Sequence, residues 1–187
     1  MQLKLNTEKT AAIGLVGIII FSICWICAVI LDGTWVFGEN MVSDLGVSDT
    51  DAKYFFNYGC IAAGIIIYVY GILTAYFNKL TLDRVCYVLI AIAGMFLIGV
   101  GTFTEDLGWP HNLCAYSLFI AVFISAILRI ILDFINRDRV FAIVTAVLIN
   151  IYDHCCCYTD VSVSGSICNH YHSDLDYISM SKNNNQN

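Results

Sequence analysis

Four long apolar stretches, separated by short polar ones, dominate the hydrophobic pattern of this chain. They are residues 11–31, 55–77, 85–103 and 113–132. The first and third contain no charged residue, the second is interrupted only by Asn57, and the fourth contains only Arg129. Because about 20 apolar residues cross the hydrocarbon core of a bilayer as a helix, the pattern predicts an all-α fold, a polytopic bundle of transmembrane helices.

A fifth apolar run, residues 140–152, is only 13 residues long and too short to cross a membrane. We therefore expect four full spans and a truncated fifth within a bundle of residues 1–152. Residues 153–187 form a polar tail that contains cysteine and histidine and is either disordered or read in a shifted frame.

The composition supports a membrane protein. Of the 187 residues, 59% are hydrophobic and 13% are charged, with a mean hydropathy of +0.74. A typical soluble domain has about 45–50% apolar and about 25% charged residues. The first apolar stretch is longer than the h-region of a secretion signal and no A-x-A site follows it, so it is interpreted as a retained helix.

The basic residues predict an orientation. If the N-terminus is cytoplasmic, seven of the nine Lys and Arg residues fall on the inner side: Lys4, Lys9, Lys79, Arg84, Arg129, Arg137 and Arg139. This is the positive-inside bias of cytoplasmic loops. The expected localisation is the cell (plasma) membrane, with the loops after the first and third spans outside.

The first of these outer loops is acidic and aromatic. Ser48 and Asp51 have the spacing of a capping box at the start of the second helix. An aromatic belt at the outer interface is expected from Trp35, Phe37, Tyr54, Phe55, Phe56, Tyr58 and Trp109. These roles leave Asp44 unexplained.

The two outer loops together contain a candidate site. Its predicted members are Ser43, Asp44, Asn57, Glu105 and His111. Carboxylates with a histidine suit a structural hydrogen-bond network, a site for a metal or a lipid head group, or an acid–base pair. The structural network is the interpretation favoured from the residue types, and no residue is assigned a catalytic or metal-ligating role.

Several sequence patterns resemble one known family. They are Ser43-Asp44-Leu45-Gly46, Phe56-Asn57-Tyr58-Gly59 with Gly64, and Gly101-Thr102-Phe103 followed by Glu105 and His111. Over roughly residues 10–150 the chain is similar to the uncharacterised family catalogued as domain of unknown function 998. The resemblance implies a small multi-pass membrane protein of about six helices with no established activity, in which the two outer loops carry the family's signature.

The tail after residue 152 departs from that pattern. Its cysteines and histidines, among them the run Cys155-Cys156-Cys157, lack the spacing of zinc sites. In an AT-rich gene, His, Cys, Tyr, Asp and Asn codons read one base later become codons for Ile, Met or Val, and serine TCT becomes a leucine codon. The tail would then be a hydrophobic helix, so we hypothesise a frameshift near residue 150.

The function favoured by these observations is a non-enzymatic helical bundle with a polar site on its outer face. The alternatives are a lipid-modifying enzyme, a protein that binds a metal or a lipid head group at that face, and a small transporter. The expected partners are membrane lipids and further copies of this chain, which would form a homo-oligomer through helix contacts. Nothing in the sequence points to nucleic acid or to a cofactor.

Overall fold

The computed structural model describes residues 2–136 and residue 143, with side chains from residue 9 onward. Four α-helices are present: Gln2–Asp32 (α1), Ala52–Phe77 (α2), Thr81–Thr102 (α3) and Trp109–Ile135 (α4). Two short 3-10 helices, Val42–Gly46 (η1) and Glu105–Leu107 (η2), lie in the loops after α1 and α3. The predicted fifth span, the tail and the hypothesised frameshift lie outside the described residues, apart from Ile143.

The helical prediction is confirmed. All four helices are long and apolar enough to cross a membrane, and the apolar segment of α1 begins at Lys9. The predicted spans lie inside these helices, except that the third was drawn one residue past the end of α3. The helices α2, α3 and α4 begin three to four residues before the predicted starts, because polar first turns are still helical.

Each helix packs against the next one along the chain, α1 on α2, α2 on α3 and α3 on α4. The loops that contain η1 and η2 therefore come to the same end of the bundle, and η1 contacts α1, α2 and η2. We call this the loop end. The α2–α3 turn lies at the opposite end.

The α2–α3 contact is a glycine seam, formed by Gly64 and Gly71 of α2 and Gly94 and Gly101 of α3. A methyl group added to Gly64 would lie 2.7 Å from the carbonyl oxygen of Gly94, and one added to Gly71 would lie 2.7 Å from that of Tyr87. One added to Gly101 would lie 2.5 Å from the carbonyl oxygen of Asn57. The two backbones therefore touch at three levels, each two helical turns apart, as small residues allow between membrane helices.

The loop end has its own hydrophobic core. It consists of Ala28, Leu45, Ala52, Phe56, Cys60 and Val100. Leu45 is fully buried, so the first loop folds back onto the bundle rather than extending away from it. Phe56 is 4% exposed and belongs to this core, so its predicted place in the aromatic belt is wrong, whereas Tyr54, Phe55, Tyr58 and Trp109 are exposed.

The predicted capping box is also wrong. The N-cap of α2 is Asp51, and its side chain accepts no capping hydrogen bond. Ser48 instead donates to Asp32 Oδ2 at the end of α1, at 2.6 Å, and the Thr50 hydroxyl accepts the Ala52 amide at 3.2 Å. A hydrogen bond to a charged carboxylate is stronger than one between neutral groups, so Ser48 ties the end of α1 to the loop.

The Arg129 side chain is 42% exposed and pairs with two carboxylates. Its guanidinium contacts Asp133 on the same helix at 2.7 Å, as the i, i+4 spacing predicts, and Asp83 of α3 at 3.5 Å. Both carboxylates are almost completely buried. These charges join α3 and α4 near the end opposite the loop end.

The glycine seam gives a stability prediction. Gly94→Ala would place a methyl group 2.6 Å from the Tyr68 amide nitrogen, against backbone that cannot move alone. We expect the free energy of unfolding to fall by about 2 kcal/mol or more, the cost of overpacking a closely packed site. Thermal unfolding in detergent micelles measures it.

Gly14→Ala is the matched control, because its methyl group would meet only the ring of Tyr70 at 3.1 Å. It should lower the melting temperature much less. Equal melting temperatures for Gly94→Ala and the wild type would contradict a close backbone contact.

Candidate functional site

The first loop is folded by hydrogen bonds around η1. Trp35 Nε1 donates to the carbonyl oxygen of Met41 at 2.8 Å, and the Met41 amide donates to Asp44 Oδ2 at 2.9 Å. Asp44, which the sequence left unexplained, thus closes the first turn of η1. With Leu45 buried next to it, this turn holds Ser43 and Asp44 against the second loop.

The second loop is held by His111. Gly108 has a positive φ of 70°, a conformation that favours glycine, and Pro110 follows in the first turn of α4, where its missing N–H costs no hydrogen bond. The His111 side chain is buried, and its Nδ1 lies 2.7 Å from the carbonyl oxygen of Phe103. Since a carbonyl only accepts, Nδ1 carries the proton, and the ring ties the start of α4 to the end of α3.

Glu105 lies where the two loops meet. Its carboxylate hydrogen-bonds to the Ser43 hydroxyl and also interacts with Asp44 and His111. We call these four residues the carboxylate network. Burial raises the pKa of Glu105 above its ordinary value and the negative charge of Asp44 raises it further, while the Ser43 hydrogen bond and His111 oppose the shift.

Asn57, the fifth predicted residue, connects to the first loop separately. Its Nδ2 donates to the carbonyl oxygen of Gly46 at 2.9 Å. A methyl group on Gly46 would lie 2.7 Å from Asn57 Oδ1, so only glycine allows this approach. The structure therefore brings Ser43, Asp44, Glu105 and His111 into one network and sets Asn57 beside it at the N-terminal end of α2.

Two acceptor atoms of this region are unsatisfied. Glu105 Oε2 and Asn57 Oδ1 are both buried without a hydrogen-bond partner among the described residues. A buried polar atom without a partner costs about 1–3 kcal/mol. Such atoms often mark the place of a proton, a water molecule or a ligand.

A cleft of about 480 Å³ opens next to Asn57, between the two loops and the start of α2. We call it the interloop cleft. Its lining includes Val47, Lys53, Tyr54, Asn57, Tyr58 and Asp106. The sequence did not single out Lys53 or Asp106 as site residues, because their proximity depends on how the two loops fold. The one available signal was that Lys53 is the single base in the predicted outer loops.

No group of three or more His, Cys, Asp or Glu side chains is arranged to hold a metal ion within the described part of the chain. Comparison with known proteins gives one family match. A family model described as "Protein of unknown function (DUF998)" matches residues 15–152, which is more than half of the chain. No curated protein and no solved structure matches.

The raised pKa of Glu105 predicts a pH dependence of stability. A carboxyl group with a higher pKa in the folded state binds its proton more tightly there than in the unfolded chain. The free energy of unfolding therefore falls as the pH rises from the ordinary value of 4.5 through the raised one. Because glutamine is neutral at every pH, we expect Glu105→Gln to remove this contribution to the pH-dependent decrease in the free energy of unfolding.

The measurement is the melting temperature in detergent between about pH 4 and pH 8. Asp49→Asn, on an exposed carboxylate of the same end, is the control and should keep the wild-type slope. If Glu105→Gln and the wild type lose stability in parallel, Glu105 is not the group that titrates.

Proposed function

This chain belongs to the DUF998 family of proteins of unknown function. From that membership and the geometry of the loop end, we propose that it is a non-enzymatic, multi-pass membrane protein. It binds a small polar ligand where its two loops meet. The observation that carries the proposal is the pair of buried acceptors without partners, Glu105 Oε2 and Asn57 Oδ1. Both lack a donor, so the ligand is one that offers N–H or O–H groups.

The contacts of the carboxylate network support binding over catalysis. A serine nucleophile is typically activated by a hydrogen bond from its hydroxyl to a neutral histidine imidazole. Here the Ser43 hydroxyl bonds to Glu105, and His111 is bonded through Nδ1 to the backbone of Phe103. These bonds hold the two loops in place, which is the structural role that the residue types favoured.

The charges near the opposite end give no support to a transporter. A transported ion or substrate is usually bound by ionisable groups near the middle of the membrane. Asp83 is the third residue of α3, and Asp133 is the third from the end of α4. Both lie near helix ends and are already paired with Arg129.

Binding is tested by native mass spectrometry of the protein purified from membranes in a mild detergent. We expect the wild type to retain a bound small molecule and Glu105→Gln to lose most of it while keeping its fold by size-exclusion chromatography. Glu39→Gln, an exposed carboxylate of the first loop, should retain the molecule. A wild type that carries no bound molecule, or equal retention by all three proteins, argues against the proposal.

The loop end faces the outside of the cell in this proposal, with the N-terminus cytoplasmic, because most basic residues fall at the other side. Asp49→Cys places a thiol at the loop end and Lys79→Cys places one near the opposite end, both at exposed positions. A membrane-impermeant maleimide added to intact cells should label Asp49→Cys above the level of the native cysteines and should not label Lys79→Cys above it. The reverse pattern would invert the topology.

A further inference from the structure

The interloop cleft combines opposite charges with aromatic rings. Lys53 lines it from the first turn of α2 and Asp106 from η2. The Lys53 ammonium lies 5.7 Å from the centre of the Tyr54 ring and forms no ion pair within the described residues. The Asp106 carboxylate accepts the Thr104 hydroxyl and is otherwise exposed. The cleft thus has one cation and one anion that are not paired with each other.

The aromatic rings lie on the same wall. Tyr54 and Tyr58 are one helical turn apart and stacked, with ring centres 6.3 Å apart and planes 17° apart. Both are more than half exposed. Tyrosine rings are common at the level of the lipid head groups, and their faces attract ammonium groups.

An exposed apolar stripe on α2 leads away from the cleft into the membrane-spanning part of the helix. Residues 54, 58, 61, 65, 68 and 72 share one helical face by their spacing. Of the more distant ones, Ile65, Tyr68 and Ile72 are each at least 38% exposed. A molecule with its polar part in the cleft could lay an acyl chain along this stripe.

We propose that the interloop cleft binds the head group of a phospholipid with a primary amine, a phosphoethanolamine lipid. The phosphate accepts from Lys53, and the ammonium group donates to Asp106 and lies against the tyrosine rings. This assignment rests on the proposed function, since the cleft is lined by Asn57, one of the two residues whose buried acceptor is unpaired within the described residues. The charges balance, because the head group is a zwitterion and the cleft contributes one charge of each sign.

The chemistry predicts a selectivity. A phosphocholine head group has the same charges but no N–H to donate to Asp106. A phosphoglycerol head group has the phosphate but no ammonium group for Asp106 and the tyrosine rings. We therefore expect the phosphoethanolamine lipid to bind about tenfold more tightly than either, the change expected from losing a hydrogen bond to a charged group.

The test is a titration of the full chain in detergent with dioleoyl phosphatidylethanolamine, phosphatidylcholine and phosphatidylglycerol in turn, followed by native mass spectrometry. Lys53→Gln and Asp106→Asn should each weaken binding of the ethanolamine lipid about tenfold or more. Lys79→Gln and Asp49→Asn make the same changes at exposed positions outside the cleft and should bind as the wild type does. Soluble glycerophosphoethanolamine, which has the head group without chains, should bind much more weakly than the lipid.

Equal affinity for the three lipids, or unchanged binding in Lys53→Gln and Asp106→Asn, would overturn the assignment. If glycerophosphoethanolamine binds as tightly as the lipid, the ligand is a soluble phosphoethanolamine compound and not a lipid. A further outcome is that the wild type binds none of these probes but retains another molecule that Glu105→Gln loses. In that case the assignment of an ethanolamine lipid is wrong, while the proposed function stands.

Discussion

Backbone contact between α2 and α3 is the constraint on which the rest of the structure depends. The contact repeats every seven residues, at Gly64 against Gly94 and at Gly71 against Tyr87, and reaches the loop end at Asn57 against Gly101. In a bilayer the hydrophobic effect does not drive apolar helices together, because lipid tails are as apolar as the side chains. Close packing between the helices must therefore provide the free energy of association. Side chains larger than hydrogen at these glycines would separate the helices. Asn57, a residue of the candidate site, therefore also forms the last level of the glycine seam, and this packing determines where its side-chain amide lies.

A series of contacts connects the loop end to this last level of the glycine seam. Asn57 bonds to Gly46, Gly46 follows the buried Leu45, and Leu45 follows Asp44 of the carboxylate network. A loop that merely connected two helices in water would have no reason to bury a leucine. Each step uses a backbone bond or a buried side chain, so the first loop is fixed to the helices by contacts along its length.

The sequence predicts the four helices because a bilayer leaves few other ways to satisfy a long apolar backbone. It also predicts the members of the carboxylate network, since polar residues at the ends of apolar runs are few. It does not predict what those residues bond to. Ser48 has the spacing of a helix cap, yet α2 begins only after Asp51, and the Ser48 hydroxyl accepts the Thr50 amide while it donates to Asp32. Phe56 looks like an interface aromatic, but the first loop covers it. The cleft between Lys53 and Asp106 depends on the fold of both loops, which no local pattern contains.

The two ends of the bundle differ in how their charged groups are paired. Near the α2–α3 turn, Arg129 forms an ion pair with Asp83 and with Asp133, so these charges are paired within the protein, although Asp133 Oδ1 is buried without a well-oriented hydrogen-bond donor among the described residues. At the loop end, Glu105 and Asn57 each keep a buried acceptor without a donor, and Lys53 and Asp106 line one cleft without pairing. Unpaired buried polar atoms cost stability. The loop end, where the charges of Lys53 and Asp106 are not paired with each other, is therefore the end at which we propose that the ligand binds.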